Sequence, residues 1–293
     1  MCMKQGMRLW ILAGAVLLLP LLACGERKAQ AKTPVPTTRT NEPGCTRQRS
    51  LGPQDPFQNP PPLKQACVGP YLLEIPQHLF YSQMGPEFDG SFSLVLQYPG
   101  LQPFAPGERM NLKLDVSMRT VAFDYWYIDR IELRQAMRNA YTPLDFEVDN
   151  PSESLAGRIP GEPVYGLLPY YADLPRIREY HASRGTRASA PVMEADWHQD
   201  WFITRDAAGE VDRLIRCTSR EVGGTGVVFR GGLMYRDRGT PYSECTHQFM
   251  LPEHSTLVRI TYVRLGLKDW QQIEDKARAL FFDHLVSPVQ RPS

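Results

Sequence analysis

Charge of one sign is not in excess here: 33 Lys and Arg stand against 32 Asp and Glu, a formal net charge of +1. That near-balance argues against nucleic acid or an anionic membrane surface as the main partner. A membrane-spanning run is also lacking. The apolar stretch at 9–22, at a rise of ~1.5 Å per residue, covers roughly 21 Å, short of the ~30 Å hydrocarbon core. Neither G-x-S-x-G nor H-E-x-x-H occurs, so an enzyme finds no motif to support it. The Gly-rich run 223–226 lacks the Lys-Ser/Thr of a phosphate loop. It also precedes a strand-like Val-Val-Phe where a dinucleotide fingerprint needs a helix, so it reads as a turn. Cysteines number six, none in a C-x-x-C pair, which sets a zinc site aside. No cofactor and no metal is implied.

What is present begins with an address. Lys4 and Arg8, with no acid, precede the apolar run, and the whole reads as a secretory signal. It ends Leu21-Leu22-Ala23-Cys24, which resembles the bacterial lipobox, whose cysteine is lipidated and becomes the new N-terminus. Residues 1–23 are thus expected to be the signal peptide and Cys24 the lipidation site. Several acyl chains on one cysteine would keep the protein on its membrane. Gly25 after the cysteine leans towards the outer membrane over the inner. Removing 1–23 takes away two basic residues and no acid, leaving 31 basic against 32 acidic.

Residues 24–66 are poor in apolar side chains and rich in proline. They read as a tether of polyproline type that holds the folded part off the bilayer. Four cysteines remain once Cys2 and Cys24 are set aside: Cys45, Cys67, Cys217 and Cys245. In an oxidising periplasm an even count points to two bridges. Of three pairings, sequence proximity favours Cys45–Cys67 and Cys217–Cys245. Each would constrain the unfolded chain by roughly 3–4 kcal/mol.

The periodicity is mainly that of strands. Residues 257–265 alternate with Val258, Ile260 and Tyr262 on one face; before them Cys245, His247, Phe249 and Leu251 share a face, with a turn at 252–255. Val211, Ile215 and Cys217 are expected on one inward face. Residues 201–203 and 211–217 should form a hairpin around 206–209. Phe92, Leu94, Leu96 and Tyr98 alternate likewise, as do Leu112, Leu114 and Val116. The run 67–76 looks like one strand ended by Pro76, and 123–133 like a strand passing into irregular or helical structure. Residues 139–191 are broken by prolines, apart from a helical piece near 175–184, as in a linker or binding loop. At the C-terminus Asp269 stands where a helix cap belongs, with Gln272 as its capping-box partner. Trp270, Ile273, Ala277, Leu280, Phe281 and Leu285 follow as one apolar stripe. The fold class is therefore α+β: antiparallel sheets with covering helices, and a C-terminal helix on a hairpin-rich sheet. Two domains are expected, 67–190 and 191–293.

One cluster could pass for a site. In an extended segment Glu194, Asp196, His198 and Asp200 would share a face at two-residue spacing. Such a face could hold a divalent cation or supply paired carboxylates. With Trp197 and Trp201 it could also be a sugar platform. The plainer reading is the solvated face of an edge strand, because metal sites draw ligands from separated segments and no second cluster stands out. His247, on an inward face, reads as a core histidine and not as a base.

Taken together, several pieces look familiar: the lipobox, CVGPYLLEIP at 67–76, GSFSLVLQYP at 90–99, CTS at 217–219, CTHQF at 245–249 and VRLGLKDWQQI at 263–273. They resemble the periplasmic lipoprotein immunity proteins that protect bacteria from type VI secretion lipase effectors. Pro70 stands where that family often carries a basic residue. The resemblance implies two α+β domains that clamp a secreted effector protein, such as a lipase, and block it without catalysis. The alternative is an envelope lipoprotein that binds or acts on a cell-wall glycan through the 194–200 cluster.

Overall fold

The computed structural model describes residues 37–286 apart from 50–54, 56, 83–84, 87–89, 111–112 and 232. The signal peptide, Cys24 and Leu112 lie outside these residues. Two small hairpins come first. In β1 (Thr37–Thr40) and β2 (Thr46–Arg49) the turn is held by Asn41, whose Oδ1 accepts the Cys45 N–H at 2.7 Å. Its Nδ2 donates to the Gly69 carbonyl at 2.8 Å, reaching the second hairpin, β3 (Leu63–Val68) and β4 (Tyr71–Pro76). The single strand expected over 67–76 is thus two, parted at Gly69-Pro70. Gly69 takes φ +53°, and a Cβ there would lie 2.3 Å from the Tyr127 ring, so only glycine suits the turn. The Cys45–Cys67 disulfide joins the hairpins. The stretch 24–66 is therefore not tether throughout, since it contains β1, β2 and the start of β3.

The chain continues through β5 (Ser91–Gln97), α1 (Leu114–Met118), β6 (Thr120–Tyr127) and α2 (Leu133–Asn139). Next come β7 (Ile159–Pro160), β8 (Leu168–Tyr171), α3 (Leu174–Ser183), β9 (Gln199–Arg205) and β10 (Val211–Thr218). A hairpin of β11 (Val227–Arg230) and β12 (Leu233–Arg236) precedes β13 (Glu244–Leu251), β14 (Thr256–Val263) and α4 (Trp270–Phe282). Eight strands form one sheet in the order β5-β6-β14-β13-β10-β9-β8-β7, all neighbours antiparallel. The class is α+β, as the alternating runs and the terminal stripe imply.

The expected boundary near residue 190 is corrected by this sheet. β6 pairs with β14, with Phe123 opposite Ile260, and the described chain makes one compact unit. Alternation tells which residues face inward but not which strand lies alongside, so a pairing across more than a hundred residues left no mark in the pattern. Two smaller expectations also give way. Leu114 and Val116 lie in the short helix α1, not a strand, with Val116 and Met118 buried. A bulge between Val211 and Arg213 turns Val211 to the opposite face, where it packs with Leu214 and Ile203.

One sheet face is covered by α4. Ile273, Ala277 and Phe281 are buried there against Phe92, Phe123, Tyr125, Phe249 and Ile260, at about 1.5–3 kcal/mol for each large side chain. Tyr125 Oη donates to the Ala277 carbonyl at 2.8 Å, fixing the helix over β6. Asp269 occupies the cap position but makes no side-chain cap bond. Its carboxylate instead accepts the Tyr98 hydroxyl at 2.6 Å. The Cys217–Cys245 disulfide lies in the core under this helix, the two residues directly opposite across β10 and β13. On the other face α2 covers a smaller cluster that includes Met137, Trp201, Leu214 and Leu257.

Candidate functional site

The 194–200 segment is not extended where the sequence put its polar face. Tight helical turns at Pro191–Met193 and Ala195–Trp197 break the two-residue period before β9 begins. Glu194 and Asp196 stay at the surface, while His198 and Asp200 turn inward. His198 Nε2–H donates to the Val192 carbonyl at 2.8 Å, and burial holds its pKa below the usual histidine range. Asp200 is fully buried and accepts from the Ala172 N–H (3.1 Å), the Arg220 N–H (2.7 Å) and Arg264 Nη2 (3.3 Å). It fastens β9 to the segment before α3, to the turn after β10 and to the end of β14. That is the work of a structural carboxylate, closed off from solvent. Among the described residues no three of His, Cys, Asp and Glu gather as a metal would require.

His247 is likewise enclosed, under α4. Its Nε2 stands 3.3 Å from Glu274 Oε2, and burial lowers its pKa. Glu274 also receives Arg213 Nε at 2.8 Å and Arg278 Nη2 at 2.7 Å. Burial alone would raise its carboxyl, but the contacts from His247, Arg213 and Arg278 outweigh it and hold the pKa at about 2.

A different arrangement lies on the opposite sheet face. Arg216 of β10 sits across from Trp201 of β9, and the Arg158 guanidinium stacks on the Trp201 ring, 3.8 Å from its centroid. Together they floor an open cleft of about 370 Å³. Glu147, Glu153, Trp197 and His198 line it too. Arg158 is 93% buried, donates to the Gln199 carbonyl and, at 2.6 Å, to the Ser152 carbonyl, and leaves Nε without a partner. Burial pulls its pKa down to about 10, and it lowers that of Arg216 as well. Arg216 Nη2 donates to Gln248 Oε1 at 3.3 Å. Among the described residues neither guanidinium is in an ion pair.

Glu147, which lines the cleft, sits in a run of exposed apolar residues. A tight turn at Asp145–Glu147 presents Leu144, Phe146 and Val148 to solvent at 60%, 75% and 64% exposure, and Trp197 is 64% exposed. Sequence reasoning passed over this loop and over Arg158 and Arg216. The signal was there in part: three apolar residues at alternate positions among acids, with no strand pattern around them to bury them. On the β11–β12 hairpin Leu233 and Tyr235 are exposed on one face and Phe229, beside Tyr98, on the other. The 223–226 run is the loop leading into it, with Gly223, Gly224 and Gly226 at positive φ.

The fold has a known counterpart. No family model matches this chain, and no curated protein sequence does. A solved structure does: that of an immunity protein of the Stenotrophomonas maltophilia type IV secretion system. It shares 24% identity at a TM-score of 0.66, over 86% of this chain and 99% of that one. At that identity the likeness is one of fold.

Proposed function

We propose that this chain is an immunity-type inhibitor: a periplasmic lipoprotein, anchored through Cys24, that binds a secreted antibacterial effector and blocks it without catalysis. The observation that carries the reading is the likeness of fold to an immunity protein along nearly the whole of that chain. Two disulfides suit an oxidising compartment. Among the described residues no helix is long and apolar enough to cross a membrane, so the anchor in this reading is the lipid. Gly25 favours the outer membrane. The short motifs resemble immunity proteins against type VI lipase effectors, whereas the structural neighbour serves a type IV system. Because the neighbour's likeness spans the fold and the motifs cover short pieces, a type IV effector is the favoured partner. The lipase reading is kept as the rival.

The test is to produce the effector-like gene product encoded beside this chain in the periplasm of a sensitive host, with and without it. Rescue of growth and a stable complex between the purified proteins are expected. A toxic neighbour that is neither bound nor neutralised would overturn the proposal. The glycan alternative rests on exposed Trp197 beside the cleft, and saturable binding of muropeptides by the same preparation would favour it.

A further inference from the structure

The immunity reading does not say where the partner is gripped. β11 and β12 form a two-stranded sheet apart from the eight-stranded one. A lone hairpin is marginal in water, and this one is held from its inner side. Val227 and Met234 are buried in the main core, and Arg236 Nη1 donates to the carbonyls of Gly226, Asp237 and Thr240 at 2.6, 2.9 and 2.8 Å. Cross-strand partners share a face, so Val228 with Tyr235 and Arg230 with Leu233 make up the outer side. None of these four is buried; Leu233 is 62% and Tyr235 46% exposed. Solvent-facing strand positions are ordinarily polar, and adjoining apolar side chains there mark an interaction surface. The charge of this side is one-sided. Between 222 and 243 the charged residues are Arg230, Arg236, Arg238 and Asp237, three positive against one negative. Arg230 and Arg238 are exposed, line an open hollow with Val228 and Tyr235, and form no ion pair among the described residues. Asp237, the one acid lining that hollow, turns its oxygens to the Gly239 N–H at 3.0 Å and the Thr240 hydroxyl at 3.2 Å, within its own turn. Tyrosine and arginine around an apolar centre are the residues of interface hot spots, and a guanidinium fork selects carboxylates. An anionic lipid surface is held by clusters of about four to eight basic residues, more than this face carries, so a protein surface is the better fit.

We propose that the outer side of the β11–β12 hairpin docks on the effector, with Leu233 and Tyr235 on an apolar area of it and Arg230 and Arg238 on carboxylates that border that area. The proposal rests on the immunity reading.

The full chain, purified from the membrane in detergent, is titrated by calorimetry with the product of the adjacent effector gene. Tyr235→Ala should weaken binding about thirtyfold, and Arg230→Glu with Arg238→Glu about a hundredfold. Neither arginine side chain is hydrogen-bonded among the described residues, so the unfolding midpoint of the double variant should not move. Added salt should weaken the wild type's binding and strengthen that of the double variant, since it screens attraction in one and repulsion in the other. Unchanged affinity in either variant would overturn the proposal and leave the immunity reading standing. The membrane is tested with the chain in phosphatidylcholine nanodiscs, where added phosphatidylglycerol should not slow amide exchange across 227–236. Slowing there that the double variant abolishes would transfer the face to a lipid surface and also overturn the proposal. A wild-type chain that does not bind the effector at all would remove both.

Discussion

Arginines gather in pairs under α4 and in the β9–β10 cleft, and the two regions treat them differently. Under α4, Arg213 and Arg278 converge on Glu274, with His247 beside it. In the cleft, Arg158 and Arg216 have backbone carbonyls, a glutamine and an indole for company, but no carboxylate in contact. Both clusters lie on the same sheet, so the difference is not one of fold quality. The first is closed by a helix and completes its own charge balance. The second is open, and its arginines are balanced only through space, by Glu153 and, for Arg158, Asp200. Polar groups enclosed in this protein hold it together, and those left unmatched at its surface are the ones to suspect of binding.

The comparison breaks first at Glu274. Glu274→Ala leaves two arginines and a histidine facing one another, and a loss of about 3 kcal/mol is expected in urea unfolding, since removing one partner strands the rest. A loss below about 1 kcal/mol would mean that the α4 network is not holding the helix down. The same group sets an acid limit. Its folded pKa of about 2 lies below the ordinary value of 4.5, so its contribution is fully present above pH 4.5 and is lost as the pH falls towards 2. The amount is about 3 kcal/mol. Stability curves of the wild type and of Glu274→Gln should therefore converge over that window, and parallel curves would contradict the assignment.

Asp200 comes next. Asp200→Ala deprives two backbone N–H groups and Arg264 of their acceptor, at an expected cost of about 2–3 kcal/mol. Replacing Asp196, His198 and Asp200 together would thus test folding, not chemistry, whereas Glu194→Ala with Asp196→Ala should leave stability unchanged. The smallest effect is expected in the cleft. Arg216→Gln should shift the unfolding free energy by less than about 0.5 kcal/mol, because it breaks no ion pair. A loss comparable to that of Glu274→Ala would erase the distinction between the two regions.

Much of this was legible where one period governs a whole element. Phe92 to Leu96, Val258 to Tyr262 and the stripe from Trp270 to Phe281 follow periods of 2 and 3.6, and the structure keeps them. The pairing of Cys217 with Cys245 was legible from their proximity in sequence and the inward face each was read on, and the structure sets them opposite each other. What escaped depends on contacts distant in sequence. Phe123 carries no sign that Ile260 is its neighbour, and Asp200 none that Ala172 and Arg220 wait for its oxygens. The bulge that turns Val211 over is a one-residue irregularity that alternation cannot show. Arg158 and Trp201 are 43 positions apart, so the cleft is assembled by the sheet and is spelled out in no single segment.

The most direct test is hydrogen–deuterium exchange of the full chain with and without the adjacent gene's effector. Slowed exchange is expected across 227–236, with α4 and the Glu274 network unchanged. Protection confined to the β9–β10 cleft, or absent everywhere despite a stable complex, would contradict the assignment of the β11–β12 hairpin as the binding region.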